Sequence, residues 1–166
     1  MEAVPTIELI EIPADISAGD VGRVFGDELP VVRDVVAATL AWYAREPRGA
    51  PWLGYLAGDG ETRRMVGTCS FKTAPRGGAV EIAYYTFPGL EGRGYATAMA
   101  GALLRIAEAH GVDRVCAQTA PEPSASTRIL EKLGFARAGE ALDEEIGTAW
   151  VWERTVAAPV RDGNGS

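Results

Sequence analysis

Cysteine is scarce. Cys69 and Cys116 stand far apart in 166 residues, with no Cys-x-x-Cys pair. That excludes a disulfide framework and offers no zinc-binding spacing. Each lies in an apolar stretch, so both are expected as buried free thiols. The one histidine, His110, falls at a predicted helix end, and nothing resembles a metal cluster. No metal is therefore expected. Positive charge is also in deficit: 16 Lys and Arg against 23 Asp and Glu leave a net charge of −7. A nucleic-acid binder needs a basic face to displace counterions, so nucleic acid is not an expected partner. A cationic or amine partner is permitted. No apolar run reaches the length of a membrane span, which argues against a membrane partner. The N-terminus carries Glu2 and no basic region, so it does not read as a secretory signal. The expectation is a reducing, cytoplasmic compartment.

What is there is the composition of an ordinary globular protein, 47% apolar and 23% charged, in a length that suits one domain. Residues 1–156 read as that domain and 157–166, rich in Gly, Pro and polar residues, as a flexible tail. The periodicities predict a strand at 6–12 and a helix at 31–45. Strands at 52–57 and 64–73 follow, with Gly58-Asp59-Gly60 as their hairpin turn, and then a strand at 79–87. A helix over 95–110 carries its apolar stripe on Ala96, Met99, Ala100, Leu103, Ile106 and Ala107. A strand at 114–119, a short helix capped by Ser124 and ending at Gly134, and an antiparallel pair at 135–139 and 147–154 complete the chain. Only the segment from 79 to 119 reads as a crossover between parallel strands. The fold class is therefore α+β with a mixed, mostly antiparallel sheet.

The strongest chemical signal is Gly89-Leu90-Glu91-Gly92-Arg93-Gly94-Tyr95-Ala96, set between a strand and a helix. Glycines let a backbone approach a ligand, and the first amides of a helix have no internal acceptor. Such a place suits phosphate or pyrophosphate. It also suits a plain tight turn, and glycines alone do not decide. A P-loop is excluded because Gly94, not a lysine and hydroxyl pair, follows Arg93. A dinucleotide loop is weakened because Gly92-Arg93-Gly94-Tyr95-Ala96-Thr97 lacks the third glycine.

Glu91-Gly92-Arg93-Gly94-Tyr95-Ala96 resembles the Gln/Arg-x-x-Gly-x-Gly/Ala acyl-CoA loop of the GNAT N-acetyltransferase superfamily. Two further blocks carry the resemblance. Glu81-Ile82-Ala83-Tyr84-Tyr85-Thr86, followed by Pro88, is similar to a strand of the ribosomal-protein (alanine) acetyltransferase branch. Ser126-Thr127-Arg128-Ile129-Leu130-Glu131-Lys132-Leu133-Gly134-Phe135 resembles that branch's later helix with its Gly-Phe ending. The agreement runs from about residue 66 to 153. The chain departs from the pattern at Glu91, at Pro123 where the branch often has Asn, and at Leu130 where many relatives carry a proton-donating Tyr.

The resemblance implies a GNAT-like sheet with one splayed parallel pair, and acetyl-CoA as cosubstrate. It implies transfer of the acetyl group to a primary amine, on a small molecule or a peptide, by direct attack in a ternary complex. Coenzyme binding then falls to Tyr84, Tyr85 and Thr86 on the strand, to Gly92, Arg93, Gly94, Tyr95, Ala96 and Thr97 at the loop and helix start, and to Arg128. Glu81 is the candidate base, with an ion pair to Arg76 or Arg114 as its structural alternative. Ser126 is the candidate proton donor to the departing thiolate, with helix capping as its alternative. Tyr84 and Tyr85 point to opposite sheet faces, one to the core and the other to the amine side. Glu140, Asp143, Glu144 and Glu145 make the loop around 142–145 acidic, which reads first as a solubilising loop and second as a rim that steers a cationic acceptor. A homodimer is compatible with this reading. The alternative function is a non-catalytic acyl-CoA-binding module with the same fold.

Overall fold

The computed structural model describes residues 4–16, 30–144 and 147–156. The described elements are, in order, β1 (Ile7–Glu11), α1 (Pro30–Arg45), β2 (Gly54–Asp59), β3 (Met65–Phe71), β4 (Ala79–Thr86), α2 (Tyr95–Ala109), β5 (Arg114–Thr119), α3 (Ala125–Lys132), β6 (Ala136–Asp143) and β7 (Gly147–Thr155). The expected tail at 157–166 and Glu145 lie outside the described residues.

The strands form one seven-stranded sheet in the order β1-β2-β3-β4-β5-β7-β6. Neighbours are antiparallel except β4 and β5. That parallel pair is short: Ala79, Val80 and Glu81 face Arg114, Val115 and Cys116. Beyond it β4 stays with β3 as far as Thr86, and β5 stays with β7 as far as Thr119. The sheet therefore opens between residues 82–86 and 117–119.

Each face is closed by the helix whose apolar stripe fits it. Pro30 opens α1, a position that needs no amide hydrogen, and Val32, Val36 and Tyr43 are its buried residues. They pack with Ile12, Leu56 and Phe87. The Tyr43 hydroxyl donates to Ile12 O at 2.9 Å and accepts from Gly54 N at 2.6 Å, which ties α1 to β2. On the other face Met99 and Leu103 of α2 join Phe71, Ile82, Val115 and Trp152 in the larger core. Burying side chains of this size contributes about 1.5–3 kcal/mol each. Side chains alternate along a strand. Val80, Ile82 and Tyr84 therefore look towards α2 and its core, as do Val115 and Ala117. Glu81, Ala83 and Tyr85 look the other way, as do Cys116 and Gln118.

Two expectations shift. The first hairpin does not turn at 58–60. β2 continues to Asp59 through an irregularity at Ala57/Gly58. Asp59 Oδ1 then accepts the amides of Glu61 (2.8 Å) and Thr62 (3.0 Å), which holds the turn further along. The final hairpin is longer than expected, with Asp143 paired to Gly147. Glu140 and Asp143 are accordingly strand residues rather than members of a loop.

Candidate active site

The glycine loop between β4 and α2 is built as its sequence suggests. Gly92 and Gly94 have φ of 78° and 87°, a region where side chains are disfavoured. Gly94 is the residue preceding the helix, and no side chain caps the first turn. The first internal bond runs from Ala98 N to Gly94 O, 3.0 Å. The amides of Tyr95, Ala96 and Thr97 are thus left without internal acceptors, at the positive end of the helix dipole. Glu91 is turned onto its own loop, where its Oε2 accepts from Gly89 N at 2.9 Å. Arg93 is exposed beside the glycines.

Tyr95 has a second task. Its ring is buried, and its hydroxyl donates to Asp59 Oδ2 at 2.6 Å. That bond, with the Thr62 and Glu61 amides, holds the Asp59 carboxyl below the usual range and pushes the Tyr95 phenol up. The side chain anchors the helix start to the β2–β3 turn, so any ligand contact from Tyr95 at the loop is through its backbone.

Where β4 and β5 part, a cavity of about 110 Å³ lies in the opening. Lys72, Glu81, Ala83 and Gln118 line it from one face of the sheet, Tyr84 and Ser126 from the other. Glu81 pairs with Lys72, Nζ to Oε2 3.0 Å. The pairings expected for Glu81 do not form: Arg76 holds Glu46 at 2.8 Å and Arg114 holds Glu153 at 3.3 Å. Lys72 is the nearer partner because its backbone amide already bonds Glu81 O across the strands, at 2.9 Å. The Lys72 contact is electrostatic. Glu81 Oε2 is sealed from solvent and held by that ammonium, while Gln118 Oε1, also sealed, has no hydrogen-bond partner among the described residues.

On the helix face the Ser126 hydroxyl hydrogen-bonds the Tyr84 phenol. Burial pushes that phenol up, and the serine partly offsets the push. Ser126 does not cap its helix. Ser124 does, with Ser124 Oγ accepting from Thr127 N (3.3 Å) and Thr127 Oγ1 accepting from Ser124 N (2.9 Å). Leu130 is fully buried. Phe135 N bonds Leu130 O (2.9 Å) and Gly134 N bonds Glu131 O (3.1 Å), a helix ending that brings Phe135 against Leu130. Position 130 thus serves the core.

The remaining expected residues spread more widely. Tyr84 is the tyrosine of the pair that reaches the cavity, while Tyr85 is 51% exposed on the opposite face, its ring 6.3 Å from Phe87. Thr86 is half-buried at the end of β4, Ala96 and Thr97 are half-buried in the first turn of α2, and Arg128 is exposed on α3. Cys69 is a buried thiol pushed up to about 12 by burial. Cys116 is half-buried, not buried as expected. Lys72 and Gln118 were not anticipated. Gln118 shares its parity with Cys116, which the β4–β5 register sets opposite Glu81, and it reaches the same cavity as Glu81 only through that tertiary pairing. Among the described residues no His, Cys, Asp or Glu cluster could hold a metal, and no helix is long and apolar enough to cross a membrane.

The loop and the opening fit an acyl-CoA. Unfilled helix-start amides suit its pyrophosphate, and the β4 edge over 82–86 faces no strand. A search of solved structures returns the same architecture. RimL, a ribosomal L7/L12 alpha-N-protein acetyltransferase in complex with coenzyme A, matches with TM-score 0.66 and 16% identity over 93% of this chain and 96% of that one. The ribosomal-protein-S18-alanine N-acetyltransferase from Escherichia coli matches at 0.61 and 14%, over 96% and 98%. Mutant forms of the spermidine/spermine N-acetyltransferase SpeG from Vibrio cholerae match at 0.63 and 12%, over 90% and 95%. At these identities the likeness is one of fold. No curated protein matches the chain. The family model described as "Acetyltransferase (GNAT) domain" matches residues 17–136, most of the sequence. The chain belongs to the GNAT family of acetyltransferases, which use acetyl-CoA.

Proposed function

We propose that the protein moves the acetyl group of acetyl-CoA to a primary amine by direct attack, with both substrates bound together. The observation that carries this reading is the cavity in the open sheet, with a carboxylate on one face and a hydroxyl pair on the other. Bound acetyl-CoA supplies a thioester, whose acetyl carbon is open to attack and whose thiolate can leave. The amides of residues 92–96 hold the pyrophosphate, with Arg93 and Thr97 beside them in sequence, and Arg128, exposed on α3, is a further cation for the coenzyme's phosphates. The free edge of β4 over Tyr84, Tyr85 and Thr86 offers backbone groups to the pantetheine arm. An N–H on that edge meets the thioester oxygen as charge grows there. Glu81 accepts the proton that the amine loses, directly or through a water. Tyr84 and Ser126 sit across the sheet from it, and their hydroxyls return a proton to the sulfur. Leu130 has none to give.

The buried Leu130 also motivates the second reading, a non-catalytic acyl-CoA-binding module. Thiol release measured with acetyl-CoA and a panel of primary amines separates the two. Turnover on any amine supports transfer. Tight coenzyme binding with no thiol release on every amine supports the module.

A further inference from the structure

The glycine loop is held from behind by residues that line no part of the cavity in the sheet opening. Asp59 ends β2, and its carboxylate uses its two oxygens differently. Oδ1 accepts the local amides of Glu61 (2.8 Å) and Thr62 (3.0 Å). One oxygen is enough for such a turn. Oδ2 instead reaches across 36 residues of sequence to accept the Tyr95 hydroxyl at 2.6 Å. Tyr95 directly follows Gly94 and is the first residue of α2, so this bond falls where the helix opens. The same turn also meets the N-terminal segment. Gly60 N donates to Thr6 O at 2.8 Å. Pro5, the neighbour of Thr6, packs against Gly94, where an added Cβ would lie 2.8 Å from its Cδ. Asp59, Tyr95, Gly94, Pro5, Thr6 and Gly60 thus close a ring behind the loop.

The ring matters because the loop in front of it is soft. Gly92 and Gly94 have φ of 78° and 87°, and glycine loses more backbone freedom on ordering than any other residue. A loop that orders only on binding loses affinity to that entropy, and a loop already held in its bound shape does not. The buried Tyr95 ring sets where α2 starts, and the bond to Asp59 stops the helix end from turning about that ring. We propose that Asp59 is a positioning residue for the coenzyme: through Tyr95 it keeps the helix-start amides of residues 95–97 aimed at the pyrophosphate, without touching the coenzyme itself. The proposal rests on the acetyl-transfer reading for its placement of the pyrophosphate at this loop. Two roles for Asp59 differ in sign. A carboxylate near a phosphate site repels it, so an Asp59 that acted as a charge alone would weaken acetyl-CoA binding, and its removal would strengthen it. As a strap, its removal weakens binding.

The test measures the affinity of the full chain for acetyl-CoA and for S-acetylpantetheine, which carries the same thioester and arm without the pyrophosphate and nucleotide. Tyr95→Phe keeps the ring and removes the hydroxyl, and Asp59→Ala removes the acceptor. Each should bind acetyl-CoA about 10-fold more weakly, the loss of one hydrogen bond, and should bind S-acetylpantetheine as the parent does. The double variant should lose no more than Asp59→Ala alone, because both changes break the same bond. Asp59→Ala also gives up the turn amides, so its melting temperature should fall further than that of Tyr95→Phe. A fall in melting temperature with the ratio of the two affinities at its parental value overturns the proposal, as does tighter acetyl-CoA binding by Asp59→Ala. The strap and the loop fail separately. If the parent prefers acetyl-CoA and both variants keep that preference in full, the loop stands and the strap falls. If the parent binds the two thioesters equally, the loop holds no pyrophosphate, and its placement falls together with the strap.

Discussion

Gly92 and Gly94 offer a test in which two similar substitutions differ for a structural reason. Both residues have positive φ, at 78° and 87°. An alanine held in that region costs roughly 1–2 kcal/mol. At Gly92 the added Cβ meets nothing within 4 Å. At Gly94 it comes 2.8 Å from Pro5 Cδ, a ring atom that cannot swing aside as a flexible chain would. Gly92→Ala should therefore show the backbone cost alone, a fall in melting temperature of about 2–8 °C. Gly94→Ala should add the Pro5 clash and shift the start of α2. Acetyl-CoA affinity should drop in both, by about 10-fold for Gly92→Ala, as the loop relieves strain by turning amides off the pyrophosphate. The drop should be larger for Gly94→Ala. Calorimetric titration with acetyl-CoA and thermal unfolding of the same samples measure both quantities. A Gly94→Ala protein that is destabilised yet binds acetyl-CoA like the parent would refute the placement of the pyrophosphate at this loop.

Tyr84→Phe keeps the ring and removes the phenol, so turnover should fall ~10²-fold with coenzyme affinity nearly unchanged; parental turnover would remove Tyr84 as a proton source. Ser124→Ala should cost about 1 kcal/mol through the lost cap while turnover per folded molecule holds. Ser126→Ala should do the reverse, since Ser126 bonds Tyr84 and caps nothing. Denaturant melts and rates on the same two proteins decide between these roles. Asp59 has a lowered pKa, so the stability it adds is present above the ordinary carboxylate value near ~4 and is lost as pH falls through the lowered one. Urea unfolding should show the parent weakening below pH ~4 more steeply than Asp59→Asn; identical acid limbs would contradict this.

Much of the fold was legible because each element carries a local signature. The 3.6-residue stripe of α2 and its glycine entry were readable from composition and spacing, as were the Ser124 cap and the Gly134-Phe135 ending. The parallel β4–β5 pair followed from the single helical crossover. What failed was set by side chains and register. Asp59 moved the first turn by accepting amides that a glycine pattern does not announce. Glu81 found Lys72 rather than an arginine, because strand pairing had already brought residues 72 and 81 together. The site divides in the same way. Its glycine loop is contiguous in sequence and was visible. Its cavity is lined from β4, β5, α3 and Lys72, so Gln118 emerged only once the strands were in register. Ser126 leaves the cap to Ser124, as the sequence already suggested, so capping is not its role.

The most direct test of the central claim is the pH dependence of kcat/KM for Glu81→Gln against the parent, on any amine the parent acetylates. With Glu81 accepting the amine proton, the variant should lose ~10²-fold or more near neutral pH. The deficit should shrink as rising pH leaves more amine already neutral, and acetyl-CoA affinity should stay at the parental value. A Glu81→Gln protein as active as the parent at every pH would contradict the account.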